Sequence, residues 1–220
     1  MDQGDLFLEG RVEERDGLNY LGNTHGGMLN LGEDWYIFYH RQTNQHSYSR
    51  QACAEKLVRL GPGQFRQAEV TSCGLNGGPL EGKGEYEARI ACNLWSGKGV
   101  ARYDRKFDKK EHPYFTQTGG DREERGDQYI ANMRDGSVAG FKYFLFDGTG
   151  HIELEYGGRA LGKMRISHTP GGEVIGAAQI RSEGGRQTSG ADIKTSPGCQ
   201  ALYFRFEGEG SLDFFSFTLR

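Results

Sequence analysis

The second half of the chain consists of short runs rich in Val, Ile, Phe and Tyr, and each run ends at a turn that contains glycine. Asp135-Gly136, Asp147-Gly148 and Pro170-Gly171-Gly172 are three of these turns. Such runs are typical of β-strands, and no segment has a convincing helical period. Because many short strands must close on themselves or stack as two sheets, we predict a β-sandwich or jelly roll.

Composition agrees with a glycine-punctuated β protein and excludes other classes. Glycine accounts for 35 of 220 residues without a fixed period, so a collagen-like chain is excluded. The formal net charge of -3 gives no reason to expect nucleic acid or a membrane surface as a partner. No apolar run approaches the ~18 residues of a membrane-spanning helix. For the four cysteines, buried free thiols are the favoured interpretation and a disulfide is the alternative.

No signal peptide is visible at the first residues, Met-Asp-Gln-Gly-Asp. If the chain begins inside a longer gene, an export signal could precede it. The sequence therefore leaves localisation open between the bacterial cytoplasm and export.

The predicted strands fall into a front group and a back group around a linker. In the front group, residues 28–31 and 35–39 form a hairpin, followed by candidate strands over 54–60, 65–73 and 85–95. A basic segment over 102–112 is predicted to be a linker or an exposed loop. In the back group, the predicted strands are 128–133, 138–146, 151–156, 161–166, 174–180, 201–207 and 212–219.

The front group contains a candidate polar site between Asn23 and Arg50. His25 lies between small residues, where the chain can turn tightly and present an imidazole. Arg50, a fixed cation with a planar fork of donors, follows the polar turn Gln42–Gln45. A strand and a turn would bring the two side chains to one place.

This stretch resembles the last blade of the family 43 glycoside hydrolases, which are five-bladed β-propeller enzymes that cut xylan- and arabinan-type polysaccharides. The resemblance continues through residues 71–80 and 90–94. From about residue 100 the chain resembles a family 6 carbohydrate-binding module. Together the two resemblances imply an all-β fold. Residues 1–99 would form a partial propeller segment that consists of the terminal blade and its closing strands. A sugar-binding β-sandwich or jelly roll would follow over residues 100–220.

The resemblance also implies a function. The family's three catalytic carboxylates belong to the four earlier blades, so this chain would be the C-terminal piece of a hydrolase of plant polysaccharide. It would contribute substrate binding or structural support rather than bond cleavage. The alternative is a stand-alone, non-catalytic carbohydrate-binding protein. Glycoside hydrolysis needs two carboxyl groups about 5–9.5 Å apart, and no acidic residues lie in a sequence setting that would raise one pKa and leave the other low. We therefore expect no catalytic residue in this chain.

Site residues follow from the same resemblance. His25 matches a histidine near the propeller axis that helps to hold a central Ca²⁺ or its waters, although a structural histidine is an equal alternative. Arg50 matches an arginine that contacts substrate, with a buried salt bridge as the alternative. Tyr129 matches a stacking tyrosine of the module, and Asp213 matches a residue that helps to bind a structural Ca²⁺. The tryptophan expected after Gly171-Gly172 is absent, because Glu173 follows.

One blade cannot bury both of its faces by itself. Trp35, Tyr36, Phe38 and Tyr39 would each expose on the order of 150–250 Å² if they were left uncovered. We therefore predict that residues 1–99 pack on the sandwich, pair with a second copy, or are covered by the missing blades.

Overall fold

A computed structural model describes residues 8–9, 25–44, 49–99, 110–119 and 127–220. Most of the predicted linker over 102–112 lies outside these ranges. Within them the chain is nearly all β-structure, and it contains no helix that is long and apolar enough to cross a membrane. The strands are β1 Leu8–Glu9, β2 Gly26–Leu31, β3 Asp34–Gln42, β4 Arg50–Leu57, β5 Arg59–Gly61, β6 Gln64–Phe65, β7 Ala68–Glu69, β8 Leu80–Glu81, β9 Gly84–Glu87, β10 Asn93–Trp95, β11 Tyr114–Thr118, β12 Asp127–Met133, β13 Val138–Phe146, β14 His151–Ser167, β15 Val174–Glu183, β16 Gln187–Asp192 and β17 Gly198–Leu219. Two 3-10 helices span Gly74–Asn76 and Ala88–Ile90.

The front of the chain forms a three-stranded antiparallel sheet in the order β2-β3-β4, which we call the blade sheet. The predicted hairpin is confirmed, because β2 and β3 pair in register around the turn at Gly32 and Glu33. Successive side chains of β3 point to opposite faces of the sheet, and both faces carry buried side chains, Tyr36 on one and Ile37 and Tyr39 on the other. The fold class predicted from the sequence, all-β with a sandwich after the blade, is confirmed.

The blade sheet packs on the sandwich through one face. Ile37, Tyr39 and Leu57 are buried in the same apolar core as the sandwich phenylalanines, and Trp35 packs against that core. Strand β2 is different, since Met28, Leu29 and Leu31 are 43–49% exposed. The described part of the chain thus covers much of β3 and leaves apolar side chains of the edge strand β2 in contact with solvent.

The sandwich is a ten-stranded sheet that curls on itself because two of its strands are long enough to serve both layers. Strand β17 pairs with β13 through its first half, with β12 at Leu212 and Phe214, and with β9 through its last four residues. Strand β14 pairs with β17 along most of its length and with β15 and β16 on its other edge. The core between the layers holds seven fully buried phenylalanines.

Glycines allow β14 and β17 to run past each other without a break. Gly158 and Gly210 have φ values of +81° and +88°, in the left-handed region where a side chain is strained. A Cβ on Gly158 would lie 2.4 Å from the carbonyl oxygen of Ser211, and one on Gly210 would lie 2.1 Å from that of Arg159. The sequence analysis split each of these strands in two, because glycine-rich segments of this kind are also typical of turns.

Replacing Gly210 with alanine is expected to lower the free energy of unfolding by on the order of 3 kcal/mol, since backbone strain adds to a clash with the neighbouring strand. Gly148→Ala is the matched control. Gly148 also has a positive φ of +75°, but no atom lies within 4 Å of its added Cβ. Equilibrium urea denaturation measures both, and we expect a loss of about 1–2 kcal/mol for the control. Equal losses would contradict the close packing of the two strands at Gly210.

Three strands before residue 99 belong to the sandwich sheet. Strand β8 pairs with β13, β9 pairs with the end of β17, and β10 pairs with the start of β13. The hydrogen bonding therefore crosses residue 99, and the division at 99/100 stays a prediction about the two resembled families. All four cysteines are free. Cys73 and Cys92 are buried, as favoured from the sequence, whereas Cys199 is exposed.

Candidate functional site

His25 and Arg50 lie at the same end of the blade sheet. His25 directly precedes β2, and its ring contacts the ring of His40 edge-on at a centroid distance of 4.6 Å. Arg50 is the first residue of β4, opposite Gln42 on β3. Both predicted residues are exposed. The strand and the turn do bring them to one end of the sheet, and their roles toward substrate stay predictions.

Tyr129 lies on the outer face of the sandwich, beside a second aromatic ring. It is on β12, directly opposite Thr116 on β11. Phe215 of β17 is the neighbour on the other side, with ring centroids 4.8 Å apart. Their chain neighbours Ile130 and Phe214 point into the core, so Tyr129 and Phe215 point outward. Partial burial, and then the nearby Asp213 and Tyr114, raise the pKa of Tyr129, so its hydroxyl stays protonated at neutral pH.

Arg186 completes this face. It ends the turn 184–186 between β15 and β16, and its Cζ lies 4.1 Å from the centroid of Phe215. Its Nη1 donates to Oε2 of Glu155 at 3.0 Å, and its Nη2 donates to Oδ2 of Asp127. We call Tyr129, Phe215, Arg186, Asp127 and Glu155 the outer-face cluster. Flat rings next to hydrogen-bonding groups can hold a pyranose, which has an apolar C–H face and hydroxyls around its rim.

The glycine pair beside this cluster differs from the one expected. The family resemblance predicts the second stacking ring after Gly171-Gly172, and this pair lies in the connection between β14 and β15. The structure instead places Gly184-Gly185 next to Phe215, because the carbonyl oxygen of Gly185 and the Phe215 ring both approach Gly157. The residue after this pair is Arg186, so a guanidinium stands where an aromatic ring was sought.

Asp213 lies close to the cluster but not among metal ligands. Its Oδ1 accepts a hydrogen bond from the backbone N–H of Asn132 at 3.2 Å, and burial raises the pKa of its carboxyl group. His25, the other predicted calcium residue, is on the blade sheet. No group of three or more His, Cys, Asp or Glu side chains within the described ranges could hold a metal ion. These residues do not fit a calcium site, and calcium binding stays a prediction.

Arg41 joins the blade to the sandwich. Its guanidinium lies 3.6 Å from the centroid of Phe115, and its Nε donates to Oε1 of Gln51 at 2.7 Å. Its Nη1 and Nη2 donate to the carbonyl oxygens of Ala91, at 2.5 Å, and of Arg89. The side chain is 5% exposed. One buried cation therefore satisfies two carbonyl groups that no strand pairing reaches.

Glu55 is the second buried charged side chain at this junction. Its carboxyl accepts hydrogen bonds from the backbone N–H and hydroxyl of Thr71, at 2.8 and 2.6 Å, and from the hydroxyl of Tyr39 at 3.1 Å. The side chain is 3% exposed, and burial raises its pKa to about 7. The local sequence around Glu55 gives no sign of this raised pKa, because the shift comes from burial in the folded chain. Its oxygens are already occupied and enclosed, which suits a junction residue better than an acid that meets a polysaccharide.

Sequence reasoning missed four members of the outer-face cluster: Phe215, Arg186, Asp127 and Glu155. They come from four separate segments, and only the pairing register of β12, β14 and β17 brings them together. Two signals could have found part of the set. Asp127 is two residues before Tyr129 on the same strand and thus on the same face. Gly184-Gly185 is a second glycine pair that the search for the stacking ring passed over.

Comparison with known proteins gives one relative in sequence. No protein-family model matches the chain. A protein of Thermoclostridium stercorarium named xylosidase/arabinosidase is 39% identical over 217 residues, which is 98% of this chain and 46% of that protein. The chain thus spans about half the length of the curated relative it matches.

Solved structures share the fold. A glycoside hydrolase family 43 arabinoxylan arabinofuranohydrolase from Bacillus subtilis, in complex with cellotetraose, has a TM-score of 0.58 at 18% identity, covering 97% of this chain and 43% of its own. The family 6 module CsCBM6-3 from Clostridium stercorarium, in complex with cellobiose, has a TM-score of 0.51 at 15% identity, covering 65% of this chain and 97% of its own. A β-1,3-glucan-binding family 6 module from Bacillus halodurans has a TM-score of 0.50 at 18% identity, and the match covers 65% of this chain and 99% of the module.

Proposed function

We propose that this chain is the C-terminal part of a family 43 glycoside hydrolase that acts on xylan- or arabinan-type plant polysaccharide. In this proposal it supplies the terminal blade and a sugar-binding sandwich, while the catalytic carboxylates belong to other blades. The observation that carries the binding role is the outward-facing pair Tyr129 and Phe215 with polar groups at its edge. The sequence relative, named xylosidase/arabinosidase, supports the substrate class.

The exposed apolar side chains of β2 favour this proposal over a stand-alone protein. Met28, Leu29 and Leu31 sit on an edge strand whose backbone pairs on one side only, within the described ranges. A neighbouring blade would cover such a strand, and a second copy of the chain is the other candidate. Uncovered apolar surface of this kind is unusual for a protein that works alone.

The stand-alone carbohydrate-binding protein remains the second candidate. The observation in its favour is the sandwich itself, whose buried aromatic core and paired long strands form a complete unit. Sugar binding by this chain is expected under both candidate functions and does not distinguish them. The two candidates differ in whether the edge strand β2 needs a partner to cover it. If the chain stays monomeric in light-scattering measurements and binds no apolar dye, β2 needs no cover and the second candidate is favoured.

Tyr129→Ala is expected to lower the affinity for xylo- or arabino-oligosaccharides by about tenfold, because the sugar loses the ring on which it stacks. Tyr129→Phe keeps the ring and is the matched control, with an affinity expected within about twofold of the unaltered protein. Isothermal titration with a panel of xylo- and arabino-oligosaccharides measures both variants. A flat titration of the unaltered protein with every glycan would overturn the binding role.

Hydrolysis is tested on the same preparation. We expect no release of nitrophenol from nitrophenyl xylosides or arabinofuranosides, since Glu55, the one carboxyl group of the described residues with a pKa near 7, is buried at the junction. Turnover at enzymatic rates that survives further purification would contradict the assignment of the catalytic carboxylates to other blades.

A further inference from the structure

Arg186 holds a fixed position over one of the two rings of the outer-face cluster. Its ion-pair partners, Asp127 and Glu155, come from β12 and β14, and Glu155 also accepts a hydrogen bond from the hydroxyl of Ser216 at 3.2 Å. A guanidinium that two carboxylates bind in its own plane keeps its flat faces free of hydrogen bonds. One flat face of Arg186 contacts Phe215. The arginine is thus arranged as a rigid plate and not as a mobile surface cation.

The backbone around the arginine is shaped for this arrangement. A Cβ on Gly157 would lie 2.7 Å from the carbonyl oxygen of Gly185 and 3.0 Å from Cε2 of Phe215. Only glycine at position 157 lets the turn that bears Arg186 approach the phenylalanine so closely. Arg186 nevertheless remains 44% exposed, so part of its guanidinium is accessible from solvent.

The outer-face cluster carries a net negative charge, although it contains an arginine. One guanidinium faces two carboxylates, which leaves one excess negative charge. Asp213 lies on the same face, beside Tyr129. A glycan that carries a carboxylate would meet net repulsion here. A neutral sugar would find flat surface for its C–H groups and carboxylate oxygens that accept bonds from its hydroxyls.

We propose that Arg186, held in place by Asp127 and Glu155, forms the second wall of the Tyr129 sugar site, and that the net charge of this cluster makes the site prefer uncharged glycans. The proposal rests on the glycan binding proposed above and adds the class of glycan. On a mixed plant polysaccharide, the site would engage neutral stretches of the chain and avoid residues substituted with uronic acids.

The experiment compares two ligands: a neutral xylo-oligosaccharide, and one of the same length that carries a single glucuronic acid. Isothermal titration at low ionic strength measures the ratio of their affinities. The unaltered protein is expected to bind the neutral ligand about two- to fivefold more tightly, as partly exposed charges of this kind produce. High salt is expected to bring the ratio close to one.

Three variants test the role of each group. The double substitution Asp127→Asn with Glu155→Gln leaves the arginine as the only charge of the cluster, so the preference is expected to reverse toward the acidic ligand. Arg186→Ala is expected to lower the affinity for both ligands about three- to tenfold, because the second wall of the site is lost. Glu207→Gln is the matched control, since Glu207 pairs with Arg165 and is 32% exposed, against 31% for Glu155. We expect it to leave the ratio unchanged.

The outcomes separate this inference from the function on which it rests. If the unaltered protein binds the neutral ligand and Tyr129→Ala does not, the sugar site is established whatever the charge variants do. A ratio that stays the same in the double variant would then overturn the role of the carboxylates. Full affinity in Arg186→Ala would overturn the second wall. No binding of either ligand by the unaltered protein would overturn both the function and the inference.

Discussion

Replacing Arg41 with leucine is expected to lower the free energy of unfolding by about 3–5 kcal/mol, the largest effect of any single substitution considered for this chain. Leucine fills part of the space but donates no hydrogen bond. The carbonyl of Ala91 and the amide oxygen of Gln51 would lose the donor that Arg41 provides, and the Phe115 ring would lose a stacked cation. The carbonyl of Arg89 would keep the hydrogen bond from Nε2 of Gln51 at 3.2 Å. A buried acceptor left without a donor costs about 1–3 kcal/mol, and two are affected here, the carbonyl of Ala91 and the amide oxygen of Gln51.

Arg89→Leu is the control for this prediction. The side chain of Arg89 makes an exposed ion pair with Glu87, while its backbone carbonyl, the group that Arg41 binds, is unchanged by the substitution. An exposed pair contributes little, so a loss below about 1 kcal/mol is expected. Urea denaturation followed by both tryptophan fluorescence and far-ultraviolet circular dichroism measures the two variants. If Arg41→Leu is as stable as the control, the guanidinium does not hold the blade to the sandwich.

Replacing Glu55 with glutamine is expected to stabilise the protein at pH 8 by up to about 3 kcal/mol and to have little effect near pH 4.5. Burial raises the pKa of this carboxyl from 4.5 to about 7 in the folded state. Each unit of pKa shift corresponds to about 1.36 kcal/mol. Glutamine has nearly the same shape, can still accept bonds from Tyr39 and Thr71, and carries no charge to bury.

The direction of the pH dependence follows from proton binding. Below pH 4.5 the carboxyl group is protonated in both states, and the folded state is at no disadvantage. Between pH 4.5 and about 7 only the unfolded chain loses the proton, so stability falls as pH rises, and above pH 7 the loss is complete. The nearby carboxylate of Glu69 adds to the shift, although Lys142 pairs with it at 2.7 Å.

Denaturation curves at a series of pH values test this prediction. The quantity of interest is the difference in unfolding free energy between Glu55→Gln and the unaltered protein, which isolates Glu55 from the other titrating groups. This difference is expected to grow from pH 4.5 to pH 7 and then to level off. Glu85→Gln, on the exposed part of β9, is the matched control. A difference that is constant across the range would mean that Glu55 titrates normally in the folded protein.

Local sequence patterns predicted much of the fold. The run Val138–Phe146 forms a strand with those bounds, and residues 28–39 form a hairpin. Alternating apolar side chains and turn residues act over a few positions, so they can be recognised without knowledge of the partner strand. The same patterns misplaced the breaks within β14 and β17. Whether a glycine such as Gly210 ends a strand or lets it pass close to another depends on what lies across from it.

The candidate site was less accessible to sequence reasoning. Tyr129 was identified through a family resemblance, and the structure adds the ring of Phe215 beside it and the guanidinium of Arg186 over that ring. Arg186 and Glu155 have no unusual local sequence, and their meaning comes from a pairing register between strands far apart in the chain. Glu55 is similar, because its raised pKa comes from burial in the folded chain, which outweighs the opposing effect of the hydrogen bonds from Thr71. Burial and charge proximity are properties of the assembled molecule.

Strand β17 belongs to both layers of the sandwich. It forms backbone hydrogen bonds with β14 and with β9, which comes much earlier in the chain. During translation, none of these strands can pair with β17 until residues 198–219 have left the ribosome. Folding of the sandwich is therefore delayed until the last part of this chain has been made, since long-range pairing cannot be completed earlier. Nascent chains that still lack β17 would leave the phenylalanines of β13 without the neighbours that bury them.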